Sequence, residues 1–339
     1  MTIEPGDLDS ASIEFGPIEP PDGTARAAAL AAIGALRLGK LDRLGGWVAG
    51  CQGHCPPRPF TRPRVVVFAA DHGIAAREVS VHPAGSTASL LDELAGGGTA
   101  AGVFADVAGA GVRVVDVAVD ADGTGAAPFK VRRSSGAIDV EDALTDEEVR
   151  AAVRAGIAVA DAEVDAGADL LIAANIGVGS STPAATLVAA LTGTEPVAVT
   201  GRGSGIDDNA WMRKAAAVRD ALRRGRPFLA DPLALIRTVG GADLAALAGF
   251  LAQATVRRTP VLLDGLVVAA AALVAEELAP GALEWWLAAQ STPEPAHSVA
   301  LDQLGLEPLL DLGITAEAGT GALAALPLVI MVARVLAGS

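Results

Sequence analysis

The chain has 339 residues, 51% of them hydrophobic, and carries 40 acidic against 25 basic side chains for a net charge of −15 at pH 7. Such an acidic balance repels phosphodiester backbones at long range and argues against nucleic-acid binding. It leaves room for a small phosphorylated ligand held by local backbone N–H groups. The length suits one large α/β domain with a small satellite, and two cysteines make no disulfide framework.

Residues 1–24 are acidic and proline-bearing, with neither the basic start nor the apolar core of a signal peptide, and are expected as a flexible lead-in. Residues 25–60 predict a small helical domain, completed by the C-terminal helix. Within it Ala25–Leu44 reads as helix with a further turn to Cys51, and Pro56, Pro57, Pro59 and Pro63 form a rigid connector. Cys51, His54 and Cys55 lack a second ligand pair nearby, so structural thiols are expected and no metal.

Residues 61–339 change character. Six short apolar runs alternate with Ala/Leu-rich helical text: Arg64–Ala70, Val112–Val117, Asp169–Ala174, Pro260–Asp264, Glu284–Ala289 and Pro308–Gly313. Continuous apolar strands between helices predict an α/β fold: a doubly wound, mainly parallel six-stranded Rossmann-like sheet with helices on both faces. Ligands in such sheets sit beyond the carboxyl ends of strands, so the loops there are the candidate site.

After the first strand come Asp71, His72 and Gly73. Two readings stand: ligand binding with proton transfer, or a turn-capping Asp beside a satisfied structural His. Ser80 and His82 precede a helix holding Ser86 and Thr87, and either line a pocket or lead into a cap. The strongest local signal follows the third strand: Asn175, Gly177, Gly179, Ser180, Ser181, Thr182, then Pro183 in the first turn of a helix. Two glycines admit close backbone approach, and the helix N-terminus favours an anion, so a phosphate fits here; a plain strand–turn–helix joint is the alternative. A second glycine loop, Thr200–Asp208, contains Arg202, Gly203 and Ser204 and leads to a helix with Lys214, where either cation can complete a phosphate site or stand solvated. The fourth strand ends at Asp264. Glu317 precedes Gly319, Thr320 and Gly321, a carboxylate placed as a general base or as a helix N-terminal stabiliser. The uncharged run Ala318–Ala333 falls short of a bilayer span, so a buried helix, no membrane association and a cytoplasmic setting are expected.

Seven ordered blocks carry a family resemblance: AADHGIAAREVSVHP (69–83), GGGTAAGVFADVAGAGVRVVDV (96–117), IGVGSSTPAA (176–185), GRGSGIDD (201–208), RRTPVLLDG (257–265), LGLEPLLDLG (304–313) and GTGALAALPL (319–328). From about Ala25 to the C-terminus the chain resembles the nicotinate-nucleotide:dimethylbenzimidazole phosphoribosyltransferase family. The resemblance implies a homodimer and transfer of phosphoribose from nicotinate mononucleotide to a benzimidazole nitrogen, with nicotinate leaving and no cofactor required. It further implies that Gly177, Gly179, Ser181 and Thr182 form the phosphate loop, that Gly203, Ser204 and Lys214 form a second phosphate-binding stretch, and that Ser80 lies beside the aromatic base.

Four departures stand out. The family's Gly-Glu-Gly-Thr-Gly becomes Glu317-Ala318-Gly319-Thr320-Gly321, so its catalytic Glu aligns with Ala318 while Glu317 lies one residue early. Asn175 replaces an acidic residue, residues 289–297 lose an Arg, and His82 stands where an aromatic is usual, with Gly85-Ser86 after the proline. Two readings follow: an enzyme using Glu317 as base on dimethylbenzimidazole or another aromatic acceptor, or a catalytically weakened homologue that binds nucleotide, as half of a heterodimer with a competent copy. A dinucleotide-binding oxidoreductase is disfavoured, because GxGxxG is missing after the first strand.

Overall fold

The computed structural model describes residues 13–122 and 124–338. Half of the expected lead-in, residues 1–12, therefore lies outside the described residues. In chain order the elements are α1 (Gly23–Gly34), α2 (Lys40–Gln52), β1 (Pro63–Ala70), α3 (Ser86–Ala95), α4 (Ala100–Ala108), β2 (Gly111–Ala118), α5 (Asp146–Asp165), β3 (Leu170–Ile176), α6 (Ser181–Thr192) and the short α7 (Pro196–Val199). They continue with α8 (Asp208–Gly225), α9 (Pro232–Val239), α10 (Ala242–Val256), β4 (Val261–Leu263), α11 (Gly265–Leu278), β5 (Trp286–Ala288), α12 (Pro295–Leu304) and α13 (Thr320–Gly338).

The strands form one parallel sheet in the order β2-β1-β3-β4-β5. Val65–Ala70 and Leu170–Ala174 are fully buried, as befits strands covered on both faces. The sheet has five strands, not six. The run Pro308–Gly313 begins to pair beside β5, with Leu309 and Leu310 donating to the carbonyls of Ala288 and Ala289, and then stops at a single bridge between Leu310 and Gln290. Pro308 has no N–H to offer, and Gly313 turns away at φ +65°, so the pairing cannot extend in either direction.

The expected helix Ala25–Leu44 is two helices. Arg37 and Gly39 take positive φ (55° and 66°), which ends one and starts the other. Gly45 in α2 sits against Ile33 of α1 and Val332 and Leu336 of α13, so helices from both chain ends share one packed face. Within the main layer α5 and α10 cross closely. A Cβ at Gly156 would run into the Ala246 carbonyl, and one at Gly249 into that of Val153, so only glycine permits this approach. A capping box of Thr145 and Glu148 starts α5. The final helix runs from Thr320 to Gly338, longer than its apolar run suggested. By length and composition it is long and apolar enough to cross a membrane, yet half of that stretch is buried inside the protein.

Candidate active site

A cleft of about 690 Å³, its open mouth included, lies beyond the carboxyl ends of β3, β4 and β5. Strand order reverses between β1 and β3, and the loop after β3 borders that switch point, the customary place for a ligand in such sheets. Its walls come from the loops after β3, β4 and β5, from the Gly201–Gly205 loop and from the loop before α13.

The loop after β3 supplies Asn175, Ser180 and Ser181. Gly177 is obligatory because a side chain there would collide with the Ala70 carbonyl of the neighbouring strand. Gly179 takes φ +89° and turns the chain into α6. Val178 is clamped in both directions: its N–H donates to Thr87 Oγ1 (3.1 Å) and its carbonyl accepts from the His72 N–H (3.1 Å). The Asn175 Nδ2 donor is buried without a partner, as is the Thr182 hydroxyl.

Lys214 reaches the same corner from α8. It is fully buried, and its Nζ donates to Ser181 Oγ (3.0 Å). Burial pushes its pKa down, opposed by the charge of Glu294. Gly203, from the second glycine loop, lies against Ser181 Oγ and the Lys214 ammonium. Glu294, just before α12, accepts the Gly203 N–H (2.7 Å).

The floor is built by Asp264 and Gln290. Gln290 Nε2 donates to Asp264 Oδ1 (3.0 Å), and the Gly321 N–H donates to Asp264 Oδ2 (3.1 Å). Burial raises the Asp264 carboxyl to about 6, with the bonds from Gln290, Ala322 and Gly321 pulling the other way. Thr292 is fixed by His297, whose Nδ1 accepts from the Thr292 N–H (3.2 Å); burial lowers that imidazole to about 4, so it stays neutral.

Glu317 faces this cleft from the loop before α13. The Ala318 N–H donates to the Asn175 carbonyl (3.2 Å), which ties the loop to the end of β3. Ala318 itself sits in the left-handed region at φ 62° and turns inward, buried. The Glu317 side chain remains open to the cleft, but the dense protein around it pushes its carboxyl up to about 7, against a backbone hydrogen bond from Gly177 that lowers it. A carboxyl poised near neutrality in one cleft with the α6 N-terminus can take a proton while an anion is held there.

Sequence-derived candidates divide into three groups. Asn175, Ser180, Ser181, Gly203, Asp264, Glu317 and Gly319 line the cleft, and Lys214, Gly177, Gly179 and Thr182 support it from behind. Ser80, His82 and Ser204 lie outside the lining: Ser204 Oγ accepts the Val81 N–H (3.0 Å) and meets Ser80 Oγ at 3.3 Å, joining the two segments. Asp71 and His72 are buried structural groups rather than cleft residues. Asp71 accepts from Thr87 Oγ1 (2.5 Å) and the Asp120 N–H (2.8 Å), while His72 Nε2 meets Asp243 Oδ2 at 3.2 Å. The β1 loop thus buttresses the Gly177–Thr182 turn through groups that do not line the cleft. Arg202 also turns away, to the Ile206 carbonyl and Asp208. Gln290 and Glu294 escaped selection from sequence. The available signals were the family segment at residues 289–297 and its Pro-Glu-Pro text, which marks a turn without saying where its carboxylate points.

Comparison with known proteins agrees with this architecture. The phosphoribosyltransferase family pattern matches residues 18–339. Nicotinate-nucleotide–dimethylbenzimidazole phosphoribosyltransferase of Mycobacterium ulcerans is 59% identical over 322 residues, covering 93% of this chain and 90% of the relative. The protein of that name from Mycobacterium tuberculosis is 57% identical over 321 residues, covering 93% and 89%. The crystal structure of CobT from Thermus thermophilus superposes with a TM-score of 0.88 at 37% identity, covering 93% of this chain and 96% of that one.

Proposed function

Since the chain belongs to the nicotinate-nucleotide–dimethylbenzimidazole phosphoribosyltransferase family, we propose that it transfers phosphoribose from nicotinate mononucleotide to an aromatic base such as 5,6-dimethylbenzimidazole, giving an α-riboside phosphate and nicotinate. The observation that carries the residue assignment is that the Glu317 carboxylate lines one cleft with Ser181, the α6 N-terminal residue that Lys214 Nζ reaches. The donor phosphate is held at that corner by the α6 N-terminus, Ser181 and Lys214. One ring nitrogen of the base attacks C1′ as the C1′–nitrogen bond to the pyridinium breaks, and that bond's electron pair returns to the nicotinate ring. Glu317 takes the proton from the other ring nitrogen of the base. The leaving group carries its own electron sink, so the protein's task is to fix the sugar and receive one proton.

The glutamate shift seen in the sequence does not remove the carboxylate from the cleft. The left-handed turn at Ala318 supports Glu317 as the base from its displaced position. Mixing the protein with both substrates should release nicotinate, and Glu317→Gln should lower kcat by about 100-fold or more. Equal release by the variant would remove Glu317 from the mechanism.

A homodimer is part of the same reading. Val103, Phe104 and Val107 on α4 are exposed beside Met331 and Val335 on the adjoining α13, an apolar patch suited to a second copy. The burial of half the final helix inside the protein supports a cytoplasmic setting over a membrane one.

A further inference from the structure

The anion corner already contains an anion. Glu294 precedes α12 but does not cap it; its side chain crosses to the Gly201–Gly205 loop instead. Its Oε1 accepts the Gly203 N–H at 2.7 Å, and its Oε2 is buried with no hydrogen-bond partner. The carboxylate lies directly against Gly201, so that any Cβ there would collide with it. Among the described residues Lys214 has only the neutral Ser181 hydroxyl as a hydrogen-bond partner, and Glu294 is the charge that acts on it. Arg202, the other cation of this loop, is engaged with Ile206 and Asp208 and adds nothing to the corner. The corner therefore balances one buried ammonium against one carboxylate before any phosphate arrives.

We propose that Glu294 is a built-in competitor for the donor's phosphate: it holds the Gly203 N–H in the empty site and yields it when the phosphate binds. The assignment rests on the transferase reading only for the identity of the phosphate carrier. The physical argument is general. A phosphate brings nearly two negative charges, and placing it beside a carboxylate that already holds the Gly203 N–H sets like charges together in a partly desolvated corner. Ligands without a phosphate have nothing to displace the carboxylate with, and free inorganic phosphate is held more weakly than a bare ammonium and amide would hold it. Glu294 acts on donor affinity and selectivity, not on the proton transfer.

Calorimetric titration with inorganic phosphate tests this without turnover. Glu294→Gln keeps an acceptor for the Gly203 N–H but removes the charge, so phosphate should bind about tenfold tighter to the variant. Nicotinate mononucleotide KM should fall in parallel. Unchanged or weaker phosphate binding overturns the proposal. If the variant does not fold, a crystal structure of the native chain soaked in phosphate decides. Glu294 swung away from Gly203 supports the proposal, and Glu294 still bonded there beside a bound phosphate overturns it. Absence of nicotinate release by the native chain would count against the transferase reading and leave the phosphate measurement intact.

Discussion

Glu317 and Ala318 show what a single position does. A base must be deprotonated to work, so a carboxyl raised to about 7 predicts kcat/KM climbing with pH through about 7 and levelling above it. Below that point the rate should drop by about tenfold per pH unit. A steady-state profile in a constant-ionic-strength buffer checks this, and a flat profile through neutrality would exclude Glu317 as the titrating group. At this scale the sequence was legible in residue type and much less so in direction. The glycines and serines after β3 were readable as cleft residues because a strand–turn–helix joint has one geometry. Arg202 and Asp71 were not, because a charged side chain in a loop has several partners within reach, and only the fold selects among them. Glu294 was missed for the same reason.

At the scale of the element, Asp264 is the joint between β4 and α13. Its carboxylate accepts from the Gly321 and Ala322 N–H groups at the start of α13 and from Gln290 beyond β5, so it places the turn that carries Glu317. Asp264→Ala leaves these donors unpaired and should cost about 1–3 kcal/mol of stability. Because the turn loosens with it, kcat should fall by more than KM rises. Denaturant unfolding with parallel kinetics checks both, and an unfolding midpoint equal to that of the native chain would remove Asp264 from this role. Five strands were readable from apolar runs bounded by turns. The sixth failed because its composition suits a strand while Pro308 and Gly313 deny it a ladder, and pairing depends on both. The single long helix read over residues 25–44 failed because periodicity survives a short break at Arg37 and Gly39.

For the whole molecule, the alternation of strand and helix dictates a parallel sheet, but no local pattern dictates the order β2-β1-β3-β4-β5. That order is what brings residues as far apart as Asn175 and Glu317 into one cleft. The exposed α4–α13 patch belongs to this scale too. Light scattering should report a dimer mass, and Val107→Asp, at a side chain 81% exposed, should give a monomer with little loss of thermal stability. A native chain that runs as a monomer at micromolar concentration would dismiss the patch as an interface.

The Asp71–Thr87–Val178 chain of hydrogen bonds has a mechanical consequence. It bolts the first crossover helix of the sheet to the turn after β3 through groups that water hardly reaches, so the turn is braced before any nucleotide comes near. The entropy of arranging that cradle is lost during folding, and a visiting nucleotide meets a rigid jig rather than a loop it must first organise.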